Sequence, residues 1–200
     1  MQEKNERRSN RERSESTRAV LIEAARRLFI EKGYAETATP DIVAAAGVTR
    51  GALYHHFEDK KALFSAVAEA EARAVAEEID RVAPDDMPAR EALVKGGEAY
   101  LDAMTLPGRT RLLLLDGPAV LGRAGMDEID DRHAARSLRA GILFAVRSGD
   151  LPRDLPVDAA THLLSSAYDR AALAIEAGGD ADAYRAALAM LIDGVAALAG

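Results

Sequence analysis

Thr49, Arg50, Tyr54, His55, His56 and Lys60 lie close together in the chain, with Thr39 shortly before them and Gly51 among them. The chemistry this set offers is hydrogen bonding by hydroxyls, imidazoles, a guanidinium and an ammonium, with no carboxylate in the group. Such donors suit phosphate oxygens and the edges of bases. Arg50 has two readings: a bidentate contact to guanine, worth roughly 1–3 kcal/mol of discrimination, or a phosphate clamp.

Presenting these groups on one surface needs short helices at a fixed angle, and the sequence of residues 37–60 supplies the signals for them. Thr39 is read as a hydroxyl N-cap, with Pro40 where the first helical turn has no use for an N–H and Asp41 at the positive helix end. Ile42, Ala45 and Ala46 form an apolar stripe, and Gly47 supplies the backbone that ends the helix. Thr49 caps the next helix, with Ala52, Leu53 and Phe57 facing inward and Arg50, Tyr54 and the histidines outward. Asp59 caps a further helix starting at Lys60. This is a helix-turn-helix whose second helix has the layout of a recognition helix.

These residues resemble the DNA-binding domain of the TetR family of transcriptional regulators. The resemblance rests on Leu28, Phe29, Gly33, Tyr34, Thr37, Ile42, Ala46, Gly47, Val48, Gly51, Leu53, Tyr54, His56, Phe57, Lys60 and Leu63, and spans residues 17–68. Pro40, Asp41, Val43 and Ala44 depart from the commoner family choices without disturbing the cap or the stripe. The resemblance implies a phosphate-binding role for Tyr54 and a contact to the DNA backbone for His56, the alternatives for His56 being stacking on Phe57 or capping. It also implies a small-molecule pocket in a C-terminal body, linked to the DNA-binding head through the fourth helix. Thr39 and Lys60 are expected on phosphates, and Thr49, Arg50 and His55 on bases, with Gly51 permitting close approach.

The remaining chain reads as all-α, about nine helices in total, with no persuasive period-2 strand. Residues 1–15 are nearly free of apolar side chains and are expected to form a flexible arm of mixed charge, a solvated tail or a minor-groove contact. Ser16 or Thr17 starts the first helix, with Leu21, Ala24, Ala25, Leu28 and Phe29 as its stripe and Gly33 as its stop. The helix from Lys60 runs to about Val82, and the proline-containing segment 83–88 ends it. Helices are expected over 89–105, 109–116, a short stretch ending near Gly122, 125–148, 157–177 and 181–198. Gly96 and Gly97 lower helix stability by roughly 1 kcal/mol each relative to alanine, and permit close packing or bending. The division is an arm (1–15), a helix-turn-helix domain (16–62) and a helical ligand-binding and dimerisation domain (63–200).

The last two helices carry long alanine-rich stripes. One comprises Ala160, Leu163, Leu164, Ala167, Ala171 and Ala174; the other Tyr184, Leu188, Leu191, Ile192, Val195 and Leu198. Together they are expected to form a homodimer interface, a four-helix bundle across a twofold, the alternative being that both pack inward. Tyr100, Met104, Leu113, Asp116, Met126, His133, Phe144, His162 and Tyr168 are candidate pocket residues, since they combine apolar bulk with occasional polar handles; for each, core packing is the competing role.

Bulk properties narrow the function classes. The net charge is −7, yet residues 1–60 hold 11 Lys and Arg against 10 Asp and Glu, so the acidity belongs to the body. There is no cysteine, which excludes disulfides and thiolate metal sites, and no apolar run nears the roughly 20 residues of a membrane span. Cytoplasmic residence is the expectation. His55 and His56 face different directions, and His133 and His162 lack helical partners, so no metal is expected. No cofactor motif or catalytic constellation is present. The function expected is a homodimeric regulator, read as a repressor, binding a palindromic double-stranded operator and released by an unknown small-molecule effector. The alternatives are an activator, or a helical small-molecule-binding protein or enzyme in which the three-helix unit is structural.

Overall fold

The computed structural model describes the backbone of residues 2–82 and 87–196, and the side chains of residues 12–82 and 87–195. Among these residues every regular element is helical. The head comprises α1 (Gln2–Glu36), α2 (Thr39–Ala46) and α3 (Arg50–His56), packed on the start of α4 (Lys60–Val82). Leu21, Ala24, Ala25, Leu28 and Phe29 are all buried, as their helical spacing requires. Phe29 meets Phe64 of α4 at 5.3 Å, and Tyr34 meets Phe64 edge-on at 5.2 Å.

Two sequence expectations at the chain's start are corrected. α1 begins at Gln2, so neither a separate arm over residues 1–15 nor a cap at Ser16 or Thr17 describes this segment. The Thr17 hydroxyl donates to the Arg13 carbonyl (2.9 Å) inside a continuing helix. Gly33 does break α1, with φ 82° and ψ 163°, a conformation that L side chains rarely adopt.

The body is built on α4, whose first half completes the head core through Leu63, Phe64, Val67 and Ala68, and whose second half enters the body through Val75 and Ala76. A division between residues 62 and 63 therefore falls inside one helix. α5 (Ala89–Met104), α6 (Gly117–Leu121), α7 (Arg123–Arg132), α8 (Ala134–Ser148), α9 (Val157–Glu176) and α10 (Ala181–Ala196) follow. α5, α8 and α9 pack on one another, and α10 closes against α5 and α9. Most of the 83–88 linker and the end of the helix expected over 181–198 lie outside the described residues.

Two further expectations change in the body. The helix expected over 125–148 is two, because His133 leaves helical geometry (φ −125°, ψ −105°) while its Nε2 sits 2.6 Å from Glu69 of α4. Arg132 holds the same carboxylate at 2.6 Å. The stretch 109–116 is not an ordinary short helix: residues Arg111–Asp116 wind as a π-helix, and Arg109 and Thr110 before it are buried.

Head and body meet at a buried ionic joint. Glu71 of α4 accepts from Arg26 Nε of α1 (2.7 Å) and from Arg109 Nε (2.9 Å). Arg109 also donates to the Ala103 carbonyl (2.8 Å). Gly108, at φ +78°, lies against Ile30 of α1 so closely that an added Cβ would come within 2.6 Å of its side chain.

Candidate nucleic-acid interface and cavity

α3 is oriented by what it buries. Leu53 is fully buried and Phe57 nearly so, which turns Arg50, Gly51, Tyr54 and His55 to solvent. Thr49 caps the helix, its hydroxyl accepting from the Ala52 N–H at 3.2 Å. The preceding turn is a Schellman-type ending: Gly47 is left-handed (φ 65°), its N–H reaches the Ala44 carbonyl, and Val48 N–H reaches that of Val43. On the inner face of α2, Ile42 is buried and Val43 partly so, whereas Ala45, expected on the stripe, is exposed.

Thr39 does not cap α2. The cap position belongs to Ala38, without a side-chain bond, and Thr39 is already the first helical residue. Hydrogen bonding by the Thr39 and Arg50 side chains, and then the charge of Arg50, hold the Tyr54 phenol below its ordinary range. Arg50 also lies over the Tyr54 ring at 5.4 Å. Thr39, Arg50 and Tyr54 thus converge from two helices on one exposed point, a donor cluster able to grip an anion.

His55 is exposed, whereas His56 is partly buried and stacks edge-on to His55 at 5.2 Å. Burial, then the charges of His55 and Arg18, push the His56 imidazole below its usual range. Phe57 lies 6.4 Å away, so the stacking alternative is a loose one.

Lys60 is a correction. Its ammonium donates to the carbonyls of Tyr34 (2.8 Å), Thr37 (3.0 Å) and Ala35 (3.4 Å) and stands 4.3 Å from the Tyr34 ring. All three protons are spent on open carbonyls of the last turn of α1 and of Thr37 just beyond it, so Lys60 ties the head together rather than offering a charge to phosphate.

The body holds a cavity of about 770 Å³ between α4, α5, α8 and α9, and a smaller one of about 280 Å³ beside the π-helix and α7. Of the pocket candidates, Tyr100, Phe144 and Tyr168 line the large cavity, and Tyr100, Leu113 and Met126 the small one. Met104, Asp116, His133 and His162 line neither. Met104 is core, Asp116 is drawn to Arg111 (3.2 Å), and His133 is committed to Glu69. His162 is exposed, 3.8 Å from Asp131. Sequence reasoning missed Leu93, Ser137, Gly141 and Ser165 as lining residues. The Gly96-Gly97 pair was the one available signal: the Tyr168 hydroxyl lies where a Gly97 Cβ would be, 1.9 Å from it. Among the described residues no group of three or more His, Cys, Asp or Glu is placed to hold a metal ion, and no helix is long and apolar enough to cross a membrane.

Residues 21–67 match the model for bacterial regulatory proteins of the tetR family, and residues 90–198 match a tetracyclin repressor-like C-terminal domain. The chain is 33% identical over 166 residues to the HTH-type transcriptional regulator TtgR of Pseudomonas putida, covering 76% of this chain and 77% of that protein. It is 30% identical over 176 residues to the HTH-type transcriptional repressor AcnR of Corynebacterium diphtheriae, covering 82% and 84%. A solved TetR-family transcriptional regulator from Pectobacterium atrosepticum superposes with a TM-score of 0.72 at 34% identity, over 92% of this chain and 93% of that one.

Proposed function

The chain belongs to the TetR family of bacterial transcriptional regulators, and from that premise we propose that it is a homodimeric repressor whose α3 reads a palindromic operator and whose body cavity binds the small molecule that releases it. Because the family consists of regulators, the reading as a carrier or enzyme with a structural three-helix unit falls away. Residence in the cytoplasm, with the operator, goes with this proposal.

The observation that carries it is the outward face of α3. Thr49, Arg50, Gly51, Tyr54 and His55 are all exposed beside Thr39 of α2, held by the buried Leu53 and Phe57. In the proposed complex Thr39 and Tyr54 bind phosphate and set register, while Thr49, Arg50 and His55 face base edges. His56, half-buried, supplies at most a backbone hydrogen bond. Repression, as opposed to activation, draws on the repressor AcnR among the relatives.

Dimerisation is supported by apolar side chains left in solvent. Leu163 of α9 is 73% exposed, and Met190 and Leu191 of α10 are 72% and 53% exposed. Exposed apolar surface on two adjacent helices marks an association face. Across a twofold, two such pairs make a four-helix bundle and place two copies of α3 about 34–36 Å apart, or somewhat more, for successive major grooves. Effector binding then favours a spacing that fits the operator poorly, which requires a higher affinity for that state.

The test is selection of duplexes from a random-sequence pool by the purified full-length protein. Enrichment of a palindrome supports the proposal and measures the half-site spacing. Recovery of only salt-sensitive, sequence-independent binding opposes it.

A further inference from the structure

Three hydroxyl groups that line the large cavity are each committed to a carboxylate. Ser137 donates to Asp80 (2.7 Å), Ser165 to Asp130 (2.8 Å) and Tyr100 to Asp169 (2.5 Å). An ionised carboxylate only accepts, so each of these hydroxyls has committed its single proton to a carboxylate, Asp80 on the wall of the large cavity and Asp130 and Asp169 on the wall of the small one, and keeps only lone pairs for a ligand. Behind them, Asp130 and Asp169 are partly buried, and no cationic group of the described residues lies within ion-pairing distance of either.

Tyr168 is independent of that acidic cluster and points to a ligand. It is 6% exposed, lines the same cavity over Gly97, and its hydroxyl makes no hydrogen bond to any described residue. Its ring packs edge-on against Tyr100 at 5.9 Å, and Phe144 adds a third aromatic side chain to the lining. The other lining side chains include Ile79, Leu93 and Leu138. The guanidinium groups nearby stand at the rims: Arg136 is exposed at the large cavity, 3.8 Å from Asp80, and exposed Arg123 and Arg170 border the small one.

We infer that this cavity takes a hydrogen-bond-donating organic cation, an aromatic or aliphatic body bearing a protonated amine, in preference to a carboxylate of the same shape. The apolar walls accept the body, the lone pairs of Ser137, Ser165 and Tyr100 accept the ammonium protons, and the aromatic faces and the carboxylates behind them favour positive charge. An anionic ligand would meet that field with Tyr168 as its one uncommitted hydroxyl donor. The inference rests on the reading of the cavity as the effector site.

Calorimetric titration of the full-length protein with naphthylmethylamine, naphthoate and naphthylmethanol separates the two claims. The amine is expected to bind at least about tenfold more tightly than naphthoate, with the alcohol between them. Asp130→Asn and Asp169→Asn should each narrow the amine-to-naphthoate ratio. Ala140→Trp, at an exposed lining position of α8, should abolish binding of whichever probes occupy the cavity while leaving the far-UV circular dichroism unchanged. Naphthoate or the alcohol binding as tightly as the amine, and lost in Ala140→Trp, overturns the cation preference and leaves the effector cavity standing. Absence of binding by all three overturns both.

Discussion

Replacing Arg109 by methionine should destabilise the whole protein, although the residue touches neither α3 nor the large cavity. Arg109 is 4% exposed and Glu71 is 7% exposed, so their pairing is made almost out of water. Removing one member of a buried ion pair costs about 3–5 kcal/mol, because the other charge is left uncompensated. Here Glu71 keeps Arg26 at 2.7 Å and the Ala103 carbonyl keeps the Leu106 N–H at 3.3 Å, so the lower end, about 3 kcal/mol, is the estimate. For a chain of this size that is a fall in Tm of about 6–12 °C. The assay is thermal unfolding followed by circular dichroism, with Arg90→Met as a control. Arg90 holds Asp193 at 2.6 and 2.8 Å, but both groups are exposed, so that variant should melt with the wild type. An Arg109→Met Tm within about 2 °C of wild type would refute the reasoning. Glu71 adds a pH dependence. Burial raises its pKa, the hydrogen bonds and charges of Arg26 and Arg109 outweigh burial, and the folded value lies below the unfolded one. The stability it contributes is present above about pH 4.3 and is lost as pH falls through the folded pKa.

Asp169 should behave in the opposite sense: burial foremost, with Asp130 and Asp127, pushes its carboxyl to about 6 against the Tyr100 hydrogen bond and Arg123. Its ionisation therefore opposes folding increasingly from about pH 4 upward and in full above about pH 6, so Asp169→Asn should raise Tm at pH 8 and leave it nearly unchanged at about pH 4. Gly108→Ala should destabilise by about 2 kcal/mol or more, since it adds a left-handed alanine to a clash with Ile30, and chemical denaturation will measure it. Leu163→Asp combined with Met190→Glu should yield a folded monomer by light scattering that no longer binds duplex; a dimer that persists argues against the α9–α10 interface. Lys60→Met should lower Tm through the freed carbonyls of Tyr34, Ala35 and Thr37.

Features governed by neighbours in sequence were legible in advance. The stripe of α1, the left-handed Gly47, the Thr49 cap and the Asp59 cap, which accepts from Ala62 N–H at 2.6 Å, all follow from spacings of a few residues. What depends on partners far along the chain was not. Lys60 looks like a surface cation until the end of α1 folds against it, and nothing local says that His133 will be held by Glu69 and divide a helix. Thr39 has a cap residue's chemistry, yet Ala38 takes the position with no side-chain cap bond. The cavity belongs to the same class. Tyr100, Phe144 and Tyr168 stood out by size, but the hydroxyl–carboxylate pairs that give the cavity its polarity join α5 to α9, α7 to α9 and α4 to α8.

The central claim is that the outer face of α3 binds operator DNA. Its most direct test is fluorescence anisotropy on the enriched duplex with wild type, Tyr54→Ala and Arg50→Ala, each checked for an unchanged circular dichroism spectrum. Tyr54→Ala should bind at least about tenfold more weakly. Arg50→Ala should lose about 1–3 kcal/mol, either at one base position, as a guanine contact, or uniformly across sequences, as a phosphate clamp. Wild-type affinity in both variants would contradict the claim and move the DNA-binding surface away from α3.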